Sequence, residues 1–321
     1  MTKPTLATPL SASLAPSAPF KKAVGVDLLP PGLPHRVRFQ LAVEAGFEAI
    51  EMSDVADAEE AEEVHEAALG TGLRIHSTTT YETWWHPLSS EDGAEVQQGL
   101  CAVRTALANA KRWGADTLLL IPAMVNARTS YHEAYTRSQS VIRRELLPLA
   151  EELGIVLGIE NAWSGFLLSP LEYVRYIDEF ASPWVRAYLD VGNMVFGYPE
   201  HWIRLTGSRL AKVHLKDFRL DRARGRFAFE KVGQGDVDWG AVRAALLEVG
   251  FCGEVTSTGT PRDRWHRWLA GGVRRARRSL VARSDLAIIF HTLSAVRRPV
   301  DIHFLQDVAR RFDRFRDGHL P

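Results

Sequence analysis

The chain is 321 residues long and carries 39 Lys and Arg against 39 Asp and Glu, a formal net charge of zero. A balanced chain has no bulk field to draw in nucleic acid or an anionic membrane surface, and no apolar run is long enough to span a bilayer. The length suits one (β/α)₈ barrel of roughly 250 residues with extensions at its ends.

Residues 1–22 are rich in Ser, Thr, Ala and Pro, and Pro4, Pro9, Pro16 and Pro19 interrupt any signal-peptide core. They read as a flexible leader on a cytoplasmic protein. Cys101 and Cys252 stand in apolar contexts with no ligand-like neighbours, so both are expected as small buried hydrophobes. From Ala23 onward, apolar or β-branched runs alternate with amphipathic stretches, the mark of repeated βα units and a parallel sheet. The runs fall near 23–28, 49–52, 73–76, 117–121, 155–160, 185–190, 210–214 and 254–258. Eight is the closure number of the α/β TIM barrel, expected over residues 23–258.

The intervening helices carry end signals. Ser169, Pro170 and Glu172 suit a cap, a first helical position and a capping box, and Asp238 precedes the apolar face of Trp239, Val242, Leu246 and Val249. Gly46, Gly70, Gly114, Gly154 and Gly250 are placed to end helices ahead of strands. Beyond Thr258, arginines from Arg262 to Arg283 crowd around Trp265 and Trp268, and Phe304 to Phe315 is amphipathic. Residues 259–321 read as an Arg-rich insertion and a C-terminal helix completing the barrel. The arginines suit a solvated helix or homo-oligomer contact, or else an RNA or phosphate surface.

Three strand ends carry metal-ligand side chains: Glu160 in Gly-Ile-Glu-Asn, Asp190 in Leu-Asp-Val-Gly-Asn and His214 in Val-His-Leu-Lys-Asp. Their separations, 30 residues from 160 to 190 and 24 from 190 to 214, are each about one βα unit, so the side chains come from consecutive strands. Two carboxylates and an imidazole suit a divalent cation, with Mn²⁺ first and Mg²⁺, Co²⁺ or Zn²⁺ as alternatives. Asn161 and Asn193 follow two of these ligands and suit either a sugar hydroxyl, a ligand carboxylate or loop capping. Lys216 and Asp217 suit a substrate oxygen and a ligand, or each other, and Arg219 is the nearest phosphate partner. Glu51 and His76 are expected at the mouth, within reach of substrate. His76 also admits an AP-endonuclease-like multi-histidine centre, which the neutral charge and the loop or helix contexts of His86 and His132 disfavour. Tyr81, Trp84 and Trp85 suit an apolar wall over a sugar, or packing on helices.

The phrases LAVEAGFEAIEM, LAEELGIVLGIENAW, FLLSPLEYVRYIDEF, SPWVRAYLDVGNM, HWIRLTGSRLAKVHLKDFR and GDVDWGAVRAALLEVGF resemble the sugar phosphate isomerase and epimerase superfamily. The subgroup they most resemble is L-ribulose-5-phosphate 3-epimerase. The resemblance implies a xylose-isomerase-like barrel, a carbohydrate substrate that is a small ketose or ketose phosphate, and an enediolate stabilised by a divalent metal. It implies that Glu160 is both ligand and base. The family's second glutamate, at the end of strand eight, falls on Thr258, whose hydroxyl offers neither anionic oxygen nor an accessible pKa. Glu254 has the same strand parity but belongs to the other end of the strand. An impaired epimerase or isomerase is the first expectation, and a catalytically inactive barrel that binds a sugar phosphate or a protein partner is the alternative.

Overall fold

Eight short parallel strands close on themselves in a computed structural model that describes residues 20–258. They are β1 (Lys21–Gly25), β2 (Ala49–Ser53), β3 (Arg74–Thr79), β4 (Thr117–Leu120), β5 (Val156–Glu160), β6 (Val185–Asp190), β7 (Leu210–Leu215) and, after an inserted hairpin, β10 (Glu254–Ser257). Each overlaps one of the eight expected runs. The hairpin pairs β8 (Asp217–Asp221) with β9 (Arg226–Glu230) in antiparallel fashion, and β10 closes the barrel between β7 and β1. The (β/α)₈ barrel is therefore the fold. The leader up to residue 19, the arginines from Arg262 to Arg283, and Phe304 to Phe315 lie outside the described residues.

Helices on the outside are α1 (His35–Glu44), α2 (Ala58–Thr71), the short α3 (Glu82–Trp85), α4 (Gly93–Trp113), α5 (Tyr131–Val141), α6 (Leu147–Leu153), α7 (Pro170–Asp178), α8 (Pro199–Thr206) and α9 (Trp239–Glu248). Ser169 accepts a hydrogen bond from Glu172 N, with Pro170 at the first helical position of α7, as read from the sequence. The Glu172 carboxylate meanwhile accepts from Tyr131 Oη at 2.5 Å, and it is α5 that carries a reciprocal box between Ser130 and Glu133. Asp238 caps α9 through Ala241 N. One expected stop moves: Gly70 lies within α2, and Gly72, with φ +70°, ends it. The cysteines are corrected too. Cys101 and Cys252 are both exposed despite their apolar neighbours, Cys101 on α4 and Cys252 in the loop between α9 and β10.

Strand alternation divides the side chains. Ile50, Ile75, Leu118, Leu157, Ile159, Leu189 and Val213 join the apolar core cluster. The interior is polar along much of its length. Gly158 leaves room there for the Tyr188 ring, since a Cβ at 158 would stand 2.9 Å from Tyr188 Cδ2. In β3 the pairing with β2 runs Ile75 to Ile50 and then Ser77 to Glu51, so His76 has no partner across the pair. His76 and Ser77 consequently both meet interior groups: His76 Nε2 lies 3.1 Å from Thr256 Oγ1, and Ser77 Oγ donates to Glu51 Oε2 at 2.9 Å.

The end of the barrel where the strands begin is closed by charge. Lys212 Nζ contacts Glu254 at 2.6 Å and Asp116 at 2.9 Å, while Arg74 bridges the same two acids. Lys212 and Glu254 side chains are only 5% and 4% exposed, so each depends on the other to offset lost hydration. Removing the acid strands a buried ammonium. Glu254→Ala is expected to destabilise the fold by roughly 3 kcal/mol, the lower end of the range for breaking a buried pair because Asp116 remains. Urea unfolding of the two proteins measures it, and a loss below a few tenths of a kcal/mol contradicts the account.

Candidate metal centre

Glu160 and Asp190 are the last residues of β5 and β6, and His214 is the last but one of β7. The β6–β7 register slips between Ala187 and Tyr188, which sets Asp190 directly across from His214. One ligand atom from each of the three lies within 4.8 Å of the others. All are buried, at 7%, 0% and 4% exposure. His214 Nδ1 stands 3.7 Å from Asp190 Oδ2 and 3.8 Å from Glu160 Oε1 and has no hydrogen-bond partner among the described residues. Such a buried nitrogen is costly without a partner, and a cation between it and two carboxylate oxygens would satisfy all three. The donor set fits a hard or borderline divalent ion.

Charge in this region is dense. Burial works against a charged His214, but Glu51 above all, and then the nearby Asp190 and Glu160 carboxylates, hold its pKa well above the usual imidazole range. Asp190 is held below the usual carboxylate range: burial opposes this, and Lys216 and His214 outweigh it. The Lys216 ammonium contacts the Asp190 carboxylate and is kept protonated by Asp190 and Glu160 against the same burial. Asp190 Oδ1 also accepts from Gly192 N and Asn193 N, at 2.8 and 3.1 Å. Gly192 must be glycine for close approach, because a Cβ there would stand 2.8 Å from the Lys216 backbone.

The other expected residues divide. Asn193 Nδ2 donates to Glu160 Oε1 at 3.3 Å and so holds the Glu160 carboxylate. Asn161 spends both ends of its amide on the backbone of Asp190, donating to O at 3.0 Å and accepting from N at 2.7 Å. Lys216 and Asp217 do not pair; Asp217 accepts from Gly233 N, Gly235 N, Val237 N and Trp239 Nε1 and fastens the loop before α9. Arg219 projects from β8, donates to Gln234 O and is 61% exposed. Two positions are corrected in depth. His76 is 0% exposed and meets Thr256 inside the barrel, because the irregularity in β3 turns it into the interior below the strand ends. Glu51 is 3% exposed and meets His214 Nε2 at 3.0 Å, so it reaches the site from beneath His214.

Trp84 packs on Leu119, Ile121, Ala162 and Tyr188, an apolar group at the mouth, whereas Trp85 is exposed and Tyr81 donates to Asp27. Sequence reasoning missed Tyr188. Its parity on β6 carried the signal, since Arg186, Tyr188 and Asp190 share the inward face and only Asp190 reads as chemistry. It also missed Trp163, whose ring lies 4.5 Å from Phe227 and 5.7 Å from Phe229 of the hairpin. The hairpin is an insertion with no periodic signal tying it to strand five.

A closed parallel barrel with a convergent carboxylate–imidazole group where its strands end defines the class of barrel proteins whose chemistry sits at that face. The family model of the xylose isomerase-like TIM barrel matches residues 39–282, and the chain belongs to that family. L-ribulose-5-phosphate 3-epimerase UlaE of Escherichia coli O1:K1 is 27% identical over 237 residues, covering 70% of this chain and 82% of that protein. The same enzyme of Salmonella paratyphi C matches at the same identity and coverage. Among solved structures, D-allulose 3-epimerase from Methylomonas sp. in complex with D-allulose superposes with a TM-score of 0.66 at 20% identity, covering 86% of this chain and 96% of that one. D-psicose 3-epimerase with D-tagatose from Clostridium cellulolyticum H10 gives 0.67 at 16%, with the same coverage. At those identities the structures speak for the fold. No helix among the described residues is long and apolar enough to cross a membrane.

The buried His76 provides a measurable consequence. Burial, then the Lys212 charge, push its pKa down to about 3. An unfolded histidine takes up a proton near pH 6.5, so between about 6.5 and 3 the unfolded chain binds the extra proton and stability falls as pH drops. His76→Gln keeps a hydrogen-bonding group and removes that titration. From pH 6.5 to 5 the stability of wild type should fall by up to about 1.4 kcal/mol per pH unit more steeply than that of the variant. Equal slopes in guanidinium unfolding contradict the account.

Proposed function

We propose that the chain is a divalent-metal-dependent epimerase or isomerase of a small ketose or ketose phosphate, acting through an enediolate. The observation that carries the reading is the unpartnered, buried His214 Nδ1 facing Glu160 and Asp190 within coordinating reach. Family membership and the epimerase names of the curated relatives support it. Glu160, Asp190 and His214 would hold the ion, Mn²⁺ first, with Mg²⁺, Co²⁺ or Zn²⁺ as alternatives. When bound, it supplies Lewis-acid polarisation of the substrate carbonyl.

The chain's own groups do the rest. Glu160 takes the proton from the carbon beside the carbonyl, and Asn193 keeps that carboxylate aimed through its bond to Oε1. Lys216 offers a positive charge to substrate oxygens, and Trp84 with the Leu119, Ile121 and Ala162 surface offers an apolar wall that excludes water. Asn161 serves by holding the backbone of Asp190.

Return of a proton to the opposite face is the weak step. Thr258 Oγ1 is buried with no hydrogen-bond partner among the described residues, and its hydroxyl is far too weak an acid to deliver a proton at neutral pH. Glu254 cannot stand in, being bound to Lys212 and Arg74 at the far end of the strand. With Glu160 alone, the proton goes back to the same face or to the neighbouring carbon, which favours exchange and isomerisation over epimerisation. The loss of a general acid typically costs about 10² to 10⁴ in rate. Thr258 also favours a second reading, a barrel that binds a sugar phosphate or a protein partner without turning it over.

Deuterium uptake separates the two. Mn²⁺-loaded protein in D₂O with a panel of ketoses and ketose phosphates should place deuterium beside the carbonyl, and Glu160→Gln should lower the rate by about 10² to 10⁴. Metal bound without exchange across the panel would favour the binding role. Thr258→Glu is expected to raise epimerisation by a comparable factor, read by NMR of the product mixture; no gain would show that more than this acid is missing.

A further inference from the structure

Glu51 is the group around the candidate metal centre that neither coordination nor proton transfer uses. It lies outside the ligand cluster formed by Glu160, Asp190 and His214, and its side chain is 4% exposed at the floor of the mouth. Both of its oxygens are engaged. Oε2 accepts from Tyr188 Oη at 2.5 Å and from Ser77 Oγ at 2.9 Å, and Oε1 meets His214 Nε2 at 3.0 Å. An ionised carboxylate is an acceptor at both oxygens, so with Glu51 in that form the hydrogen between it and His214 resides on Nε2. The Tyr188 ring then meets the imidazole edge to face, with centroids 4.6 Å apart and planes at 65°, which leaves the ring little freedom to rotate.

We infer that Glu51 is the positioning residue of the metal centre: it fixes His214 as the Nε2–H tautomer and turns Nδ1 toward Glu160 and Asp190 as the ligand atom. The inference rests on the metal reading above and assigns Glu51 to the histidine rather than to substrate. Two observations meet in it. Nε2 is fully committed to Glu51, and Nδ1 is the nitrogen left without a partner and within 4 Å of both ligand carboxylates. A histidine free to flip would present either nitrogen and would divide its population between competent and incompetent rotamers. A carboxylate behind the ring also raises the donor strength of the nitrogen in front, and such partners typically contribute about 10- to 100-fold in metal affinity. The selection of β2 for this task follows from its position. The β2–β3 irregularity sets Ser77 across from Glu51, so the carboxylate is braced on one side by its neighbour strand and on the other by Tyr188 from across the barrel.

The test is calorimetric titration of the metal-stripped, full-length chain with Mn²⁺ alone. Wild type should bind one equivalent, and His214→Ala should weaken it strongly. Glu51→Leu should lower affinity by about 10- to 100-fold, whereas Glu51→Gln, whose amide oxygen can still accept from Nε2–H, should stay within a few-fold of wild type. Glu51→Leu binding as tightly as wild type, while His214→Ala does not, overturns the inference and leaves the metal reading standing. No binding by wild type, or none lost with His214→Ala, overturns both. Should Glu51→Leu fail to fold, ¹⁵N spectra of the His214 ring in Zn²⁺-loaded wild type decide. A proton on Nε2 with Nδ1 shifted by the metal supports the assignment, and the reverse pattern overturns it.

Discussion

The barrel mouth is governed by the difficulty of keeping ionised groups away from water. Glu51, Glu160, Asp190, His214 and Lys216 are all buried or nearly so, and each is tolerable only because an opposite charge or a hydrogen-bond donor lies beside it. That constraint explains the local backbone. Gly192 lets the strand-six loop close over Lys216, Asn161 ties that strand end to its neighbour, and Asn193 reaches back to Glu160. A site assembled this way is stiff, because moving any one group exposes the charge of another without its partner.

A second ionic layer at the opposite end of the barrel follows the same rule with different members. Lys212, Glu254, Asp116 and Arg74 close the interior where the strands begin. Between the layers lie His76, Thr256 and Tyr188, which are polar enough to bond one another and to the layer above. The common expectation of stacked branched apolar side chains in such an interior is therefore only partly met here. The apolar core lies instead between the strands and the helices, where Ile50, Leu118, Leu157 and Val213 are found.

The strands, their parallel order and the convergence of Glu160, Asp190 and His214 were legible because each is a local pattern: an apolar run that ends on a polar atom. Asp190 and His214 needed nothing more than their βα spacing to be placed together. What escaped was set by contacts between distant segments. Glu51 and Tyr188 are 137 residues apart and bonded, and no periodicity in either strand announces the other. Lys216 looked like a partner for Asp217, yet neighbours on a chain leaving a strand point to opposite sides, and each found its partner elsewhere. The cysteines misled for a related reason. Apolar neighbours in sequence describe both faces of an element, and Cys101 lies on the outer one.

The extra residue in β3 has a wider consequence than the local kink. Because His76 and Ser77 are consecutive and both project into the lumen, one strand grips the middle of the barrel and the underside of the mouth together. A slip of that strand by a single residue would thus be felt at both levels in the same motion, which makes the pairing of strands two and three a mechanical hinge pin for the whole interior.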